Sequence, residues 1–295
     1  MREGGYKVLK SIDEDSIKAA QAILYPEELF HFDSVAEGIW GGFEAVTDTD
    51  VQFFHEHGYL VIHDAFSPAE VRETLDGMLH LMDGKNPDFR GIQYEPKLVK
   101  YRSELPTRER RDIIRKIATF VNFEPRLKAI SDHEGLITVV QRLIEDTPRL
   151  FQDMGLIKPP HIGSEKPWHQ DCAYFNLPLD TPVVAAWIAL DEATPENGCM
   201  HIIPGSHREG PMVHFHRRDW QICDTHVPVD REVMVPLKAG GCLLWHGLLH
   251  HGTPANRSNS RRRALQFHYC PESTGSIDTD ERLEVFGSEG KDVEC

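Results

Sequence analysis

From about Leu150 onward the chain breaks into short strand-like segments: Val183–Leu190, Met200–Ile203, Val233–Leu237, Cys242–Trp245 and Arg263–Tyr269. Turn signals such as Glu196-Asn197-Gly198 and Pro204-Gly205-Ser206 separate them. Strands spaced this evenly must cover one another's faces, which points to a sandwich or barrel, here a jelly roll. The first half reads differently. Ser16–Leu24, Thr47–His57, a stretch from about Thr107 to Val121 and another from about Glu124 to Leu143, interrupted near Asp132, carry helical patterns. Ser67-Pro68-Ala69-Glu70 is a helix start with a capping box, followed by Val71, Leu75, Met78, Leu79 and Met82 on one face. The expected fold class is therefore mainly β with flanking helices. Residues 1–45 are expected to be an extension packed on the core, 46–272 the main domain with its helical layer, and 273–295 an acidic tail running over the surface.

Composition removes several classes of function. The formal charge is −15, and the one dense basic run, Arg261-Arg262-Arg263, is too short to track phosphates, so no nucleic-acid partner is expected. The longest apolar run, Val183–Leu190, falls well below the roughly 18 residues of a membrane span, so no membrane role is expected. Met1–Lys7 is not followed by the apolar stretch of a secretory signal, and the six cysteines include no Cys-x-x-Cys pair. A cytoplasmic protein with reduced thiols is the expectation. The 17 histidines are about twice average usage, and many lie between 161 and 268.

His169-Gln170-Asp171 is the first of these to carry chemistry. If the triplet is a strand, its outer residues share a face and present an imidazole beside a carboxylate, a two-ligand metal clamp. His251 follows far downstream at the end of another apolar segment, where a jelly roll can return it to the first pair; His246 and His250 compete for the same role. Two histidines and a carboxylate make the facial triad of non-haem Fe(II) oxygenases, with coordination positions left open. Arg262 opens a strand in which Ala264, Gln266 and His268 share its polar face while Leu265, Phe267 and Tyr269 form an apolar one. The apolar face suits packing beneath helices. A buried polar face needs a ligand or partners, and arginine is the side chain that clamps a carboxylate in two-pronged fashion.

Together with Trp187-Ile188-Ala189-Leu190, Glu196-Asn197-Gly198-Cys199, Pro204-Gly205-Ser206-His207, His251-Gly252, Asn256-Arg257-Ser258 and Arg262-Arg263-Ala264, the triplet resembles the phytanoyl-CoA dioxygenase family in order and spacing, over about Thr49 to Pro271. The resemblance implies a double-stranded β-helix of the cupin-like kind that binds Fe(II) and 2-oxoglutarate and uses O2. It implies His169, Asp171 and His251 as the catalytic iron ligands and Arg262 as the residue holding the distal carboxylate of 2-oxoglutarate. Gln170 and Trp187 are implied to line the co-substrate pocket, with Lys100 matching another family pocket residue and Gln152 and Met154 facing the pocket. The implied reaction is hydroxylation of a small organic metabolite or acyl thioester with release of succinate and CO2.

Three rivals compete with this reading. A zinc hydrolase suits two histidines and an aspartate but leaves Arg262 unexplained. A cupin-type binding protein built on His214-Phe215-His216 lacks the glutamate such a motif expects, Trp220 standing there instead. A non-catalytic 2-oxoglutarate sensor would keep every ligand. The stretch from about Arg208 to His226, with Arg217 and Arg218, is expected to rim the entrance and to favour an anionic small-molecule substrate. Oligomeric state is left open.

Overall fold

A computed structural model of the chain describes residues 11–287. In chain order the strands among these residues are β1 (Tyr59–Ile62), β2 (Ile92–Tyr94), β3 (Ile114–Ala118), β4 (Pro148–Lys158), β5 (Lys166–His169), β6 (Val184–Ala189) and β7 (Met200–Ile202). They continue with β8 (His214–His216), β9 (Trp220–Ile222), β10 (Val233–Val235), β11 (Cys242–His246), β12 (His251–Thr253) and β13 (Arg262–Pro271). One antiparallel sheet has the order β1-β11-β6-β13-β4-β3-β2, a second has the order β10-β7-β12-β5, and β8 and β9 form a separate hairpin. The two larger sheets face each other as a double-stranded β-helix.

Strand alternation decides which side chains meet where. Val184, Ala186 and Ile188 of β6, Leu244 of β11 and Leu265, Phe267 and Tyr269 of β13 point outward. They join Phe54, Met78, Leu81, Leu136 and Leu143 from helices Asp48–His57, Pro68–Met82 and Glu134–Ile144 in one core. Ala185, Trp187 and Ala189, Leu243 and Trp245, and Ala264 point inward, toward Met200, Ile202 and Val235 of the smaller sheet. The apolar face expected of β13 thus lies beneath the helices and its polar face lines the interior.

Local signals set the helix ends. Thr47 and Ser67 each close a capping box, with Asp50 and Glu70, and Gly58 ends the first of these helices in the left-handed region at φ 80°. The helical stretch expected from Glu124 breaks at Asp132 into Pro125–Ser131 and Glu134–Ile144. The helix expected over Thr107–Val121 stops at Arg110; Ile114–Ala118 become β3, because Lys116–Ala118 pair with Met154–Leu156 between β4 and the outermost strand β2. The tail expected to run over the surface instead forms helix Thr279–Phe286 and buries Phe286 against Trp220, Ala173 and Leu248.

Upstream of β1 the chain lies across the molecule. Tyr25, Leu29 and Phe30 pack on Trp168, whose indole donates to the Leu29 carbonyl at 2.8 Å. Residues 34–39 then pair with β10 through Val35 and Met234 and with β1 through Ile39 and Ile62. Cys172, Cys199, Cys242 and Cys270 are free thiols, as expected. Among the described residues no helix is long and apolar enough to cross a membrane.

Candidate active site

β5 ends at His169, and His251, the first residue of β12, is its direct cross-strand partner. Asp171 joins them from the one-turn helix Asp171–Tyr174, so the pair 169/171 meets across the end of a strand rather than along it. The Asp171 Oδ1 lies 3.5 Å from His169 Nε2 and 3.6 Å from His251 Nε2. All three residues are buried, and one ligand atom from each lies within 4.8 Å of the others.

Each histidine is fixed by its own backbone neighbour. His169 Nδ1 donates to the Pro167 carbonyl at 2.8 Å and His251 Nδ1 to the Leu249 carbonyl at 2.9 Å, which leaves both Nε2 lone pairs facing Asp171. Burial, helped by His251 and Lys166, pushes the His169 imidazole down to about 4, so it is neutral at physiological pH. The other Asp171 oxygen, Oδ2, accepts from Trp245 Nε1 and His268 Nε2, both at 2.9 Å. Burial alone would raise this carboxyl; His251 and His268 overcome it and hold it well below the usual carboxylate range. The result is a buried, anionic, three-donor face whose every ligand is oriented from behind.

These donors open into a cavity of about 300 Å³ that also reaches Arg262. Arg262 is 2% exposed, its guanidinium stands 5.4 Å from the Trp187 ring centre, and its Nε and Nη1 have no hydrogen-bond partner. Trp187 Nε1 is equally unpartnered. Burial brings Arg262 down to about 10, still charged at neutral pH. Orphaned donors this deep are costly unless a ligand accepts from them. The cavity is therefore built for an anion at one end and a metal at the other.

Residues 54–264 match the family model described as phytanoyl-CoA dioxygenase (PhyH). The chain belongs to the phytanoyl-CoA dioxygenase family. The chain is 30% identical over 254 residues to phytanoyl-CoA dioxygenase 1 of Oryza sativa subsp. japonica, covering 76% of this chain and 89% of that protein. It is 28% identical over 271 residues to phytanoyl-CoA dioxygenase domain-containing protein 1 of Danio rerio, covering 76% and 90%. The crystal structure of EctD from S. alaskensis with 2-oxoglutarate and 5-hydroxyectoine has the same fold, with a TM-score of 0.63 at 22% identity, covering 91% of this chain and 92% of that one.

In this phytanoyl-CoA dioxygenase family member, Trp187, Gln152 and Met154 line the cavity with the triad and Arg262. Two expected pocket residues do not. Gln170 is fully buried and spends its amide elsewhere: Nε2 donates to the Gly210 and Leu248 carbonyls and Oε1 accepts from the Met212 amide, so it braces the segment after β7. Lys100 lies exposed on the turn Val99–Tyr101, its ammonium over the Tyr101 ring. The lysines that do line the cavity are Lys116, Lys158 and Lys166. Lys158 donates to the Ser164, Thr253 and Pro254 carbonyls, and Lys166 bridges Asp219 at 2.7 Å and the Tyr174 hydroxyl at 2.8 Å. The competing histidines also point away. His246 Nδ1 accepts from the Leu248 amide beside His207, and the buried His250 ring makes no hydrogen bond. His214 accepts from the Gln170 amide and donates to the Met212 carbonyl, so it is a satisfied core residue.

Proposed function

We propose that this family member is an Fe(II)- and 2-oxoglutarate-dependent dioxygenase that hydroxylates a small organic molecule, a free metabolite or acyl thioester, with release of succinate and CO2. The observation that carries the reading is a buried His-Asp-His face and an orphaned buried guanidinium in one cavity. The donor set fits the metal: two imidazole nitrogens and one carboxylate oxygen are the ligands of the facial triad of non-haem iron oxygenases. Arg262, with Trp187 Nε1 beside it, fits the distal carboxylate of 2-oxoglutarate, the co-substrate named with the EctD structure.

In this reading His169, Asp171 and His251 hold the iron and leave positions for 2-oxoglutarate and O2. Bound iron supplies the oxidising power to break a C–H bond while 2-oxoglutarate is converted to succinate and CO2. The chain's own contribution is placement. The Pro167 and Leu249 carbonyls keep both imidazoles in the tautomer that offers Nε2, and Trp245 and His268 occupy Asp171 Oδ2, so that Oδ1 would be the oxygen left for the metal. Asp171 would itself supply a ligand to the iron where a halide would otherwise bind, which favours hydroxylation over halogenation. A zinc hydrolase would use the same three ligands but leaves the unpartnered donors of Arg262 and Trp187 without an acceptor.

The test is an anaerobic titration with Fe(II) and 2-oxoglutarate, following the weak visible charge-transfer band of the chelate in the unmodified chain and in Arg262→Ala. A band that weakens in the variant, with succinate release in air, is the expected result. Bound metal with no band defeats the proposal.

A further inference from the structure

A second cavity, of about 540 Å³, adjoins the catalytic one, and Arg115, Ser164 and Glu165 line both. Its outer wall is the segment Ala20–Tyr25, which precedes the part of the chain that matches the family. Although the chain as a whole carries a charge of −15, Glu165 is the only acidic residue among the described residues lining this cavity, against Lys97, Arg115, Arg217, Arg218 and Arg257. Some of these cations are already matched: Arg218 binds both Glu165 and Asp224. Others are held loosely. Arg115 donates to the Glu165 carbonyl at 3.1 Å, but its carboxylate neighbours stand at 3.5 Å (Glu95) and 4.0 Å (Asp219), and Arg257 meets Glu27 at 3.0 Å in an exposed pair of the kind that contributes little. The Lys97 ammonium donates to the Ala19 carbonyl at 2.7 Å, which satisfies a hydrogen bond without neutralising the charge.

The partition between the cavities supplies an independent observation. Glu165 is 8% exposed, one of its oxygens accepts from Arg218, and the other, Oε2, has no hydrogen-bond partner. A buried acceptor left open on a passage is stabilised by a ligand that donates to it.

We infer that the outer cavity is the recognition site of the primary substrate. The substrate carries an oxyanion, carboxylate or phosphate, that sits among Lys97, Arg115 and Arg257, and a hydroxyl or N–H donor that meets Glu165 Oε2 where the molecule enters the inner cavity. Ala20, Ile23 and Leu24 give the same chamber an apolar wall, so the segment between these polar groups is hydrocarbon in character. The inference rests on the oxygenase reading for what happens in the inner cavity; binding in the outer one does not depend on iron.

The experiment is calorimetric titration of the full metal-free chain with inorganic phosphate, pyrophosphate and hexanoate, with and without saturating 2-oxoglutarate. At least one probe binds at millimolar concentration, and which ones do separates a phosphate from a carboxylate substrate. The Lys97→Gln/Arg257→Gln double variant, altered only at exposed positions, weakens that binding about tenfold. Added 2-oxoglutarate and the Arg262→Gln change leave it unaltered. The inference is overturned if no probe binds, if the double variant binds as well as the parent, or if 2-oxoglutarate displaces the probe, which would put the anion in the inner cavity. Failure of the iron and 2-oxoglutarate titration alongside normal probe binding would overturn the oxygenase reading alone.

Discussion

At the residue scale the site is governed by groups that orient other groups. Asp171 Oδ2 is held by Trp245 and His268. Trp245→Phe removes one donor and leaves a smaller aromatic ring in a fully buried place, and His268→Leu removes the other. Each is expected to lower Fe(II) affinity about 10–100-fold while the fold, checked by thermal melting, persists. Unchanged affinity in both would mean that Asp171 is positioned by packing alone. Arg262→Ala is expected to cost about 2–5 kcal/mol in 2-oxoglutarate binding, and Arg262→Lys to recover only part of this, because an ammonium keeps the charge but not the fork. Equal affinity in the lysine variant and the parent would reduce Arg262 to a point charge. His169, Asp171, His251 and Arg262 were legible in the sequence because their types and order already carry the chemistry. The cavity lysines were not. Lys116 and Lys100 look alike in a one-dimensional string, and only the pairing of β3 with β4 brings the first inward while the second stays on an exposed turn.

The element scale shows where local pattern is a sufficient guide and where it fails. β13 was readable since both of its faces are buried for opposite reasons, one under helices and one around the cavity. In the Thr107–Val121 stretch Ile113, Ile114 and Ile117 fit a helical face as well as a strand, and the long-range pairing of β3 with β4 decides between them. Glu196-Asn197-Gly198 forms the turn its residues predict, and the structure adds why its last residue is glycine. Gly198 has φ 86°, and a β-carbon there would stand 2.5 Å from the Pro254 carbonyl oxygen and 3.0 Å from Lys158 Cδ. Gly198→Ala is therefore expected to destabilise the chain by at least about 2 kcal/mol in chemical denaturation. It should also weaken 2-oxoglutarate binding in whatever protein remains folded, since Lys158 lies in the cavity wall. A variant as stable as the parent would show that this turn relaxes freely.

For the molecule as a whole, buried histidines tie stability to pH. Burial holds His214 at about 3 and His246 and His250 at about 4. In the unfolded chain each returns to about 6.5, so between roughly pH 6.5 and 4 the unfolded state binds more protons than the folded one. The stability these neutral rings provide is complete above about pH 6.5 and is lost as pH falls through that window, on the order of 1–2 kcal/mol per group by pH 5. Urea midpoints measured from pH 8 to pH 5 should drop steeply below 6.5; a flat profile would contradict the burial of these rings.

The pairing of residues 34–39 with both β10 and β1 has a consequence for solubility. Those two strands are the outermost on one side of their respective sheets, and a bare outermost strand is a template for adding strands from other molecules. By occupying both at once, this short segment withholds the templates from neighbouring copies. A chain beginning after residue 40 should keep much of its β-helix yet aggregate as its concentration rises, acquiring intermolecular β-structure visible by infrared spectroscopy.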